Sequence, residues 1–176
     1  PSAFSLKLTT SKHEGPLTFN STGDRVYFSR NNIENGKTVK AEDGEVKMQL
    51  LSASKTDGDW GNVEELPFNN DNYSVVHPTI SVDNDVLIYA SDMPGGYGGY
   101  DLYQSNKVGN SWTFPQNLGP DINSEGHDVF PFLHADGMLY FSSDRSGGKG
   151  GLDLYYSLKL DGQTWIEPVN MGEKFN

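Results

Sequence analysis

Residues 91–103 read SDMPGGYGGYDLY and residues 143–155 read SDRSGGKGGLDLY, one phrase returning after 52 positions. In each copy an Asp closes an apolar run, a Gly-rich loop follows, and a second Asp stands nine positions on, pairing Asp92 with Asp101 and Asp144 with Asp153. A fixed period of this length restricts the chain to architectures in which similar supersecondary units bury their faces against one another.

The other landmarks keep the same step. Trp60, Trp112 and Trp165 are 52 and 53 residues apart, and each precedes a Leu or Met by six. Pro16, Pro78 and Pro131 open corresponding strands. The first of their intervals, 62, is ten residues longer than the 52-residue period, because residues 31–45 exceed their counterparts. An insertion confined to one loop is what repeat units tolerate. The polar, Gly-containing composition of residues 31–45 reads as a long exposed loop.

Apolar alternation and turn residues divide each unit into four short strands. In the first unit they cover residues 13–19, 25–30, 47–54 and 60–66. In the second they cover 79–82, 86–90 and 100–105, with a fourth from Trp112 to Leu118. In the third they cover 130–133, 138–142 and 152–158, with a fourth from Trp165 to Met171 beyond a turn at Asp161 and Gly162. The units are bounded as 13–72, 73–124 and 125–176. Residues 1–12, with Phe4, Leu6 and Leu8 on one face, form the end of a preceding unit or a closing strand.

Strands such as VLIYA and MLYFS are apolar on both faces, so their sheets need cover on both sides. Four-stranded sheets covered by their neighbours, with no helices available, are propeller blades. A β-sandwich is the competing architecture, and the repeat period favours the propeller. The expected fold is therefore all-β: a β-propeller segment of about three four-stranded antiparallel blades. High aromatic content, with 9 Tyr, 9 Phe and 3 Trp beside 20 Gly and 9 Pro, agrees with short strands joined by turns.

Several function classes are set aside by composition. A net charge of −11 disfavours nucleic acid and anionic membrane surfaces as targets. With no Cys, disulfides, thiol catalysis and Cys zinc sites are excluded. No apolar run reaches membrane-spanning length. The chain begins on Pro1 without a Met, as expected of a processed or excised piece.

The phrases HEGPLTF, LPFN followed by HPTI, SDMPGGYGGYDLY, NLGPDIN and LYFSSD resemble the WD40-like propeller repeats of the TolB type. They are most similar to the version found in outer-membrane-associated envelope proteins of the Bacteroidetes. Those proteins join such a propeller to a helical repeat region and a peptidoglycan-binding domain of the OmpA type, and some are periplasmic parts of the type IX secretion machinery. The resemblance covers about residues 13–176. It implies a periplasmic, outer-membrane-associated location, protein partners in the cell envelope, and contact with peptidoglycan only through a domain absent here. It also implies about six blades, or roughly 310 residues at this period. Three blades are then expected to be part of a larger propeller or to be completed by a second copy.

The Gly-rich loops admit a structural and a metal-binding reading. Gly allows backbone conformations with positive φ, and Asp92, Asp101, Asp144 and Asp153 are expected to accept hydrogen bonds from their own loops' N–H groups. A calcium β-roll would need G-G-x-G-x-D, whereas Asp101 falls one position late and the nine-residue tandem period is missing. The structural reading is preferred, with no metal and no cofactor. A phosphate cradle lacks both its helix and its G-K-[ST].

No catalytic residue is expected. His13, His77, His127 and His134 show no metal spacing. His13 and His77 stand ahead of Pro16 and Pro78, where the third unit has Phe130, and a place shared by His and Phe points to packing. Neither a G-x-S-x-G elbow nor a usable Ser-His-Asp order is present. The carboxylates lie mostly in turns, as on a solvated rim, and one Trp per unit at the same register points to packing between blades.

These observations lead to a non-catalytic scaffold that docks proteins through its loops. The alternatives are a propeller attached to a peptidase or a glycan-active enzyme, and a glycan-binding module. The candidate docking loop carries Asn32, Glu34, Lys37, Lys40, Glu42 and Asp43, with no apolar anchor beyond Val39. Its removal over residues 32–44 is expected to leave stability nearly unchanged.

Overall fold

The computed structural model describes residues 5, 8–160 and 164–176, and the described residues are all-β, without a helix. The first sheet is built from β1 (Glu14–Phe19), β2 (Arg25–Asn31), β5 (Met48–Thr56) and β6 (Asp59–Glu65), antiparallel in that order. Between β2 and β5 lies a small hairpin, β3 (Ile33–Glu34) with β4 (Lys37–Thr38). The second sheet contains β7 (Val75–Ile80), β8 (Val86–Ser91), β9 (Asp101–Val108), β10 (Ser111–Trp112) and β11 (Gln116–Asn117). The third orders β12 (Asp128–Leu133), β13 (Leu139–Ser143), β14 (Asp153–Ser157) and β17 (Val169–Asn170), with β15 (Lys159–Leu160) and β16 (Thr164–Trp165) paired beside it.

Three antiparallel sheets with their first strands side by side are propeller blades, as the period implied. Two details differ from the sequence reading. The fourth strand of the second and third blades is broken in two, around Pro115 and Pro168, because proline has no N–H for the ladder. The first strands of these blades also begin earlier than expected, at Val75 and Asp128. A bulge between Val76 and Thr79, and another between Val129 and Phe132, interrupts the period-two pattern that marks a strand. His77 and Phe130 sit in these bulges with φ of 54° and 52°, a conformation costly for non-glycine residues. In the first blade the register shift brackets Gly15 and Pro16, so Gly15, not His13, is the counterpart of His77.

The core lies between blades. Tyr27 and Leu50 of the first blade meet Val75, Leu87 and Tyr89 of the second. Ile88, Ala90 and Leu102 of the second meet Leu139, Phe141 and Tyr155 of the third. Both faces of β8 are thereby buried, which explains its unbroken apolar run. Each fully buried aliphatic side chain contributes about 1.5–3 kcal/mol, so Leu102→Ala would remove about 2–5 kcal/mol with its cavity. In β13, Leu139 and Phe141 are buried, but Tyr140 on the other face is half-buried. The expected two-sided cover therefore holds for VLIYA and not for MLYFS.

The first blade's outer face, with Val26, Phe28 and Trp60, is covered by Leu8. Leu8 lies in a turn closed by the Thr9 N–H on the Ser5 carbonyl at 3.0 Å. Phe4 and Leu6, like the turn at Asp161 and Gly162, fall outside the described residues. Trp112 meets Tyr27 edge-on at 6.0 Å and Trp165 joins the cluster between the second and third blades, whereas Trp60 packs on the first blade's outer face.

One asparagine per blade clasps the third strand. Asn69, Asn123 and Asn176 accept from the N–H of Leu50, Leu102 and Leu154 at 2.9, 2.7 and 2.5 Å. Their amides donate back to the same residues' carbonyls at 2.8, 2.9 and 3.4 Å. A side-chain amide that closes both bonds on one residue satisfies two strand groups at once.

Candidate functional site

The hairpin after β2 and the Gly-rich loops after β8 and β13 all join a second strand to a third. They therefore project from the same end of the blades. Their carboxylates do not all act alike. Asp101, 1% exposed, accepts the N–H groups of Tyr97 at 2.6 Å and Gly98 at 3.1 Å and the Asn117 amide at 2.7 Å. Asp153 repeats this with the Lys149 N–H and with the Asn170 amide at 2.8 Å. The Lys149 N–H beside it is the main cause holding its carboxyl below the usual range. Gly95, at φ 94°, turns the loop, and Gly96 leaves room for the Asp101 carboxylate, which a Cβ would approach to 2.5 Å.

Asp92 and Asp144 depart from the sequence reading. Asp92 accepts the Ser74 N–H at 2.5 Å and Asp144 the His127 N–H at 2.5 Å. Both secure the lead-in to the first strand of their own blade instead of their own loop. Each of the four carboxylates thus accepts at least one backbone N–H. Among the described residues no group of three or more His, Asp or Glu is placed to hold a metal ion.

The second blade's loop also locks onto the third blade. The Gly99 N–H donates to the Gly126 carbonyl at 2.8 Å, the Tyr100 N–H to His127 Nδ1 at 3.2 Å, and the Asp128 N–H to the Tyr100 carbonyl at 2.7 Å. Behind this seam Arg145 pairs with the fully buried Asp128 at 2.7 Å and lies over the rings of Phe141 and Tyr155. Neither residue stood out in the sequence, because their 17-residue separation matches no local motif.

Residues 31–45 are not a bare loop. Asn32, offered from sequence as a docking residue, is buried. Its amide donates to Asp71 at 2.7 Å, its N–H to the Lys47 carbonyl at 2.8 Å, and its carbonyl accepts from Val39 at 3.0 Å. Ile33 is half-buried as well, so Val39 is not the sole apolar anchor. The Glu42 N–H reaches Asn72 at 3.0 Å, and Lys47 holds Asp43 at 2.6 Å, depressing that carboxyl. Deleting residues 32–44 would remove these anchors, so the expectation of a neutral deletion does not stand. Glu34, Lys37, Lys40, Glu42 and Asp43 remain exposed on the braced hairpin.

A third feature is the wall formed by the first strands. Leu17, Phe19, Phe130 and Phe132 stay exposed there beside His77. His77 stacks on Phe130, so the packing role inferred from their shared position is realised as a direct contact.

No family model and no curated protein matches the chain. Solved structures do. A puromycin-hydrolysing peptidase of Mycobacterium tuberculosis superposes with a TM-score of 0.57 at 16% identity, over 92% of this chain and 22% of that one. TolB from Acinetobacter baumannii gives 0.55 at 12% identity, over 91% and 33%. An α-L-arabinofuranosidase from Lactobacillus brevis gives 0.55 at 15%, over 86% and 52%. The chain thus spans between a fifth and about half the length of these structures. At such identities the likeness is one of fold: a β-propeller, with TolB-type propellers and peptidase propellers among its structural neighbours.

Proposed function

We propose that this chain is a non-catalytic β-propeller module of a periplasmic, outer-membrane-associated protein, and that it docks protein partners through the loop end of its blades. The observation that carries this reading is the hairpin of residues 31–45. It is the largest departure from the repeat, it is braced from beneath by Asn32, Asp71 and Asn72, and it presents Glu34, Lys37, Lys40 and Glu42 to solvent. A pre-ordered charged loop loses little entropy on binding, which suits a docking element. The outer-membrane association and the link to secretion rest on the motif resemblance alone, and the TolB structure among the neighbours agrees with a periplasmic location.

The test is to place a photo-crosslinking side chain at Lys37 and identify the envelope proteins it captures. With that side chain in place at position 37, replacing Glu34, Lys40 and Glu42 together by Ala should shift stability by no more than about 0.5 kcal/mol and abolish those crosslinks. Unchanged capture by the folded triple variant would refute the site. A second reading, a propeller that serves a peptidase, draws on the peptidases among the structural neighbours. A catalytic domain of that class on the same polypeptide would favour it.

A further inference from the structure

The two junctions between blades are built on the same register but differ at three places. Arg25, Tyr27 and Ser52 of the first blade correspond to Val86, Ile88 and Gln104 of the second, as their strand pairings show. At the first junction Tyr27 fills the space against Trp112, and Arg25 reaches Glu64 at 3.4 Å. At the second, the shorter Ile88 and the uncharged Val86 leave a cleft of about 510 Å³, within the range of small-molecule sites.

A lysine enters this cleft. Each blade pairs a Lys with its Trp across strands, Lys55 with Trp60, Lys107 with Trp112 and Lys159 with Trp165. Lys55 and Lys107 are exposed, whereas Lys159 is half-buried. Its Nζ lies 4.9 Å from the Trp165 ring centroid and donates to Gln104 Oε1 at 3.4 Å. Among the described residues no carboxylate pairs with it within 4 Å. Asp136, on the cleft wall, is engaged by His134 at 2.8 Å and the Met138 N–H at 3.0 Å. Burial pushes the Lys159 ammonium below its ordinary range, as expected for a cation that has lost water. With its oxygen turned to Lys159, Gln104 has an amide NH₂ left to donate.

We propose that the cleft between the second and third blades binds a small ligand with a single carboxylate on an apolar body. The carboxylate meets the Lys159 ammonium and the Gln104 amide, and the apolar body lies along Val86, Ile88 and Leu133. One ammonium and one amide suit a monoanion. A phosphate would call for several cationic donors, which this wall does not offer. The chemistry is shared by a medium-chain fatty acid and by the free C-terminus of an apolar peptide.

Calorimetric titration of the chain with octanoate and with acetyl-Leu-Leu tests the proposal, with octanol as the uncharged control. Saturable one-to-one binding of either carboxylate is expected, and which one binds assigns the lipid or the peptide source. Lys159→Met, which keeps the apolar stem, should weaken carboxylate binding by roughly tenfold or more while leaving octanol unaffected. Ile88→Tyr, which restores the side chain of the first junction, should abolish binding. Should that variant fail to fold, Val86→Phe, which fills the same wall with an uncharged side chain, takes its place, with the same expectation. Absence of saturable binding up to millimolar ligand, or equal carboxylate affinity in folded Lys159→Met, would overturn the proposal.

Discussion

The imidazole of His77 lies on the ring of Phe130, with centroids 3.8 Å apart and planes 21° from parallel. The Phe130 N–H points to His77 Nδ1 at 3.4 Å, which requires that nitrogen to be unprotonated. Burial drives the histidine from 6.5 to about 4. The unfolded chain therefore takes up this proton first as the pH falls. Stability from this group is complete above about pH 6.5, declines towards pH 4, and does not decline further below that. Urea midpoints at about pH 7.5 and pH 5 should differ less in His77→Phe than in the parent. An identical difference would show that the histidine does not titrate in this way.

Gly98 and Gly151 lie in successive Gly-rich loops, yet their surroundings differ. A Cβ on Gly98 would come within 2.1 Å of the Gly126 carbonyl and 2.4 Å of the Ser124 carbonyl, both backbone atoms of the next blade. On Gly151, which corresponds to Gly99, it would meet nothing within 4 Å. Gly98→Ala should therefore destabilise by about 1–3 kcal/mol. Gly151→Ala should be neutral or stabilise by up to about 1 kcal/mol through the unfolded chain. Chemical denaturation of the two variants side by side checks the contrast, and equal effects would refute it.

Asp128 and Arg145 form a pair in which the acid has no exposure and the Arg side chain 16%. Removing one partner leaves the other charge buried and uncompensated. Arg145→Met should cost about 3–5 kcal/mol, and the double change with Asp128→Val should recover much of that loss. A double-mutant cycle with no coupling would mean the pair contributes only packing.

Asp101 holds two loop N–H groups and the Asn117 amide. Asp101→Ala should lower stability by about 1–3 kcal/mol by leaving buried donors unpaired. Excess chelator should leave the melting temperature of the parent unchanged, because the carboxylate is engaged by hydrogen bonds. A chelator-induced fall in melting temperature would instead identify an ion in the loop.

Much of this architecture was present in one dimension. The 52-residue period, the Trp and Pro markers and the apolar runs determined three sheets of antiparallel strands stacked as blades, because a repeated unit with two apolar faces must bury both against its own kind. The part of Asp101 and Asp153 as loop caps was legible as well, since a carboxylate a few residues beyond a Gly-rich turn finds its donors locally. What lay beyond local spacing did not show. Asp92 serves Ser74, 18 residues away, and Asn32 serves Asp71, 39 residues away. Only packing the blades side by side decides such partners. The bulges at His77 and Phe130 concealed where strands begin, and the stacking of those two rings arises because bulges at the same height in adjacent blades turn toward each other. The strand pairings set Tyr27 against Ile88, and the volume their difference opens, with the lysine drawn into it, exists only where two blades meet. Periodicity is a property of the chain, whereas complementarity between faces belongs to the folded molecule.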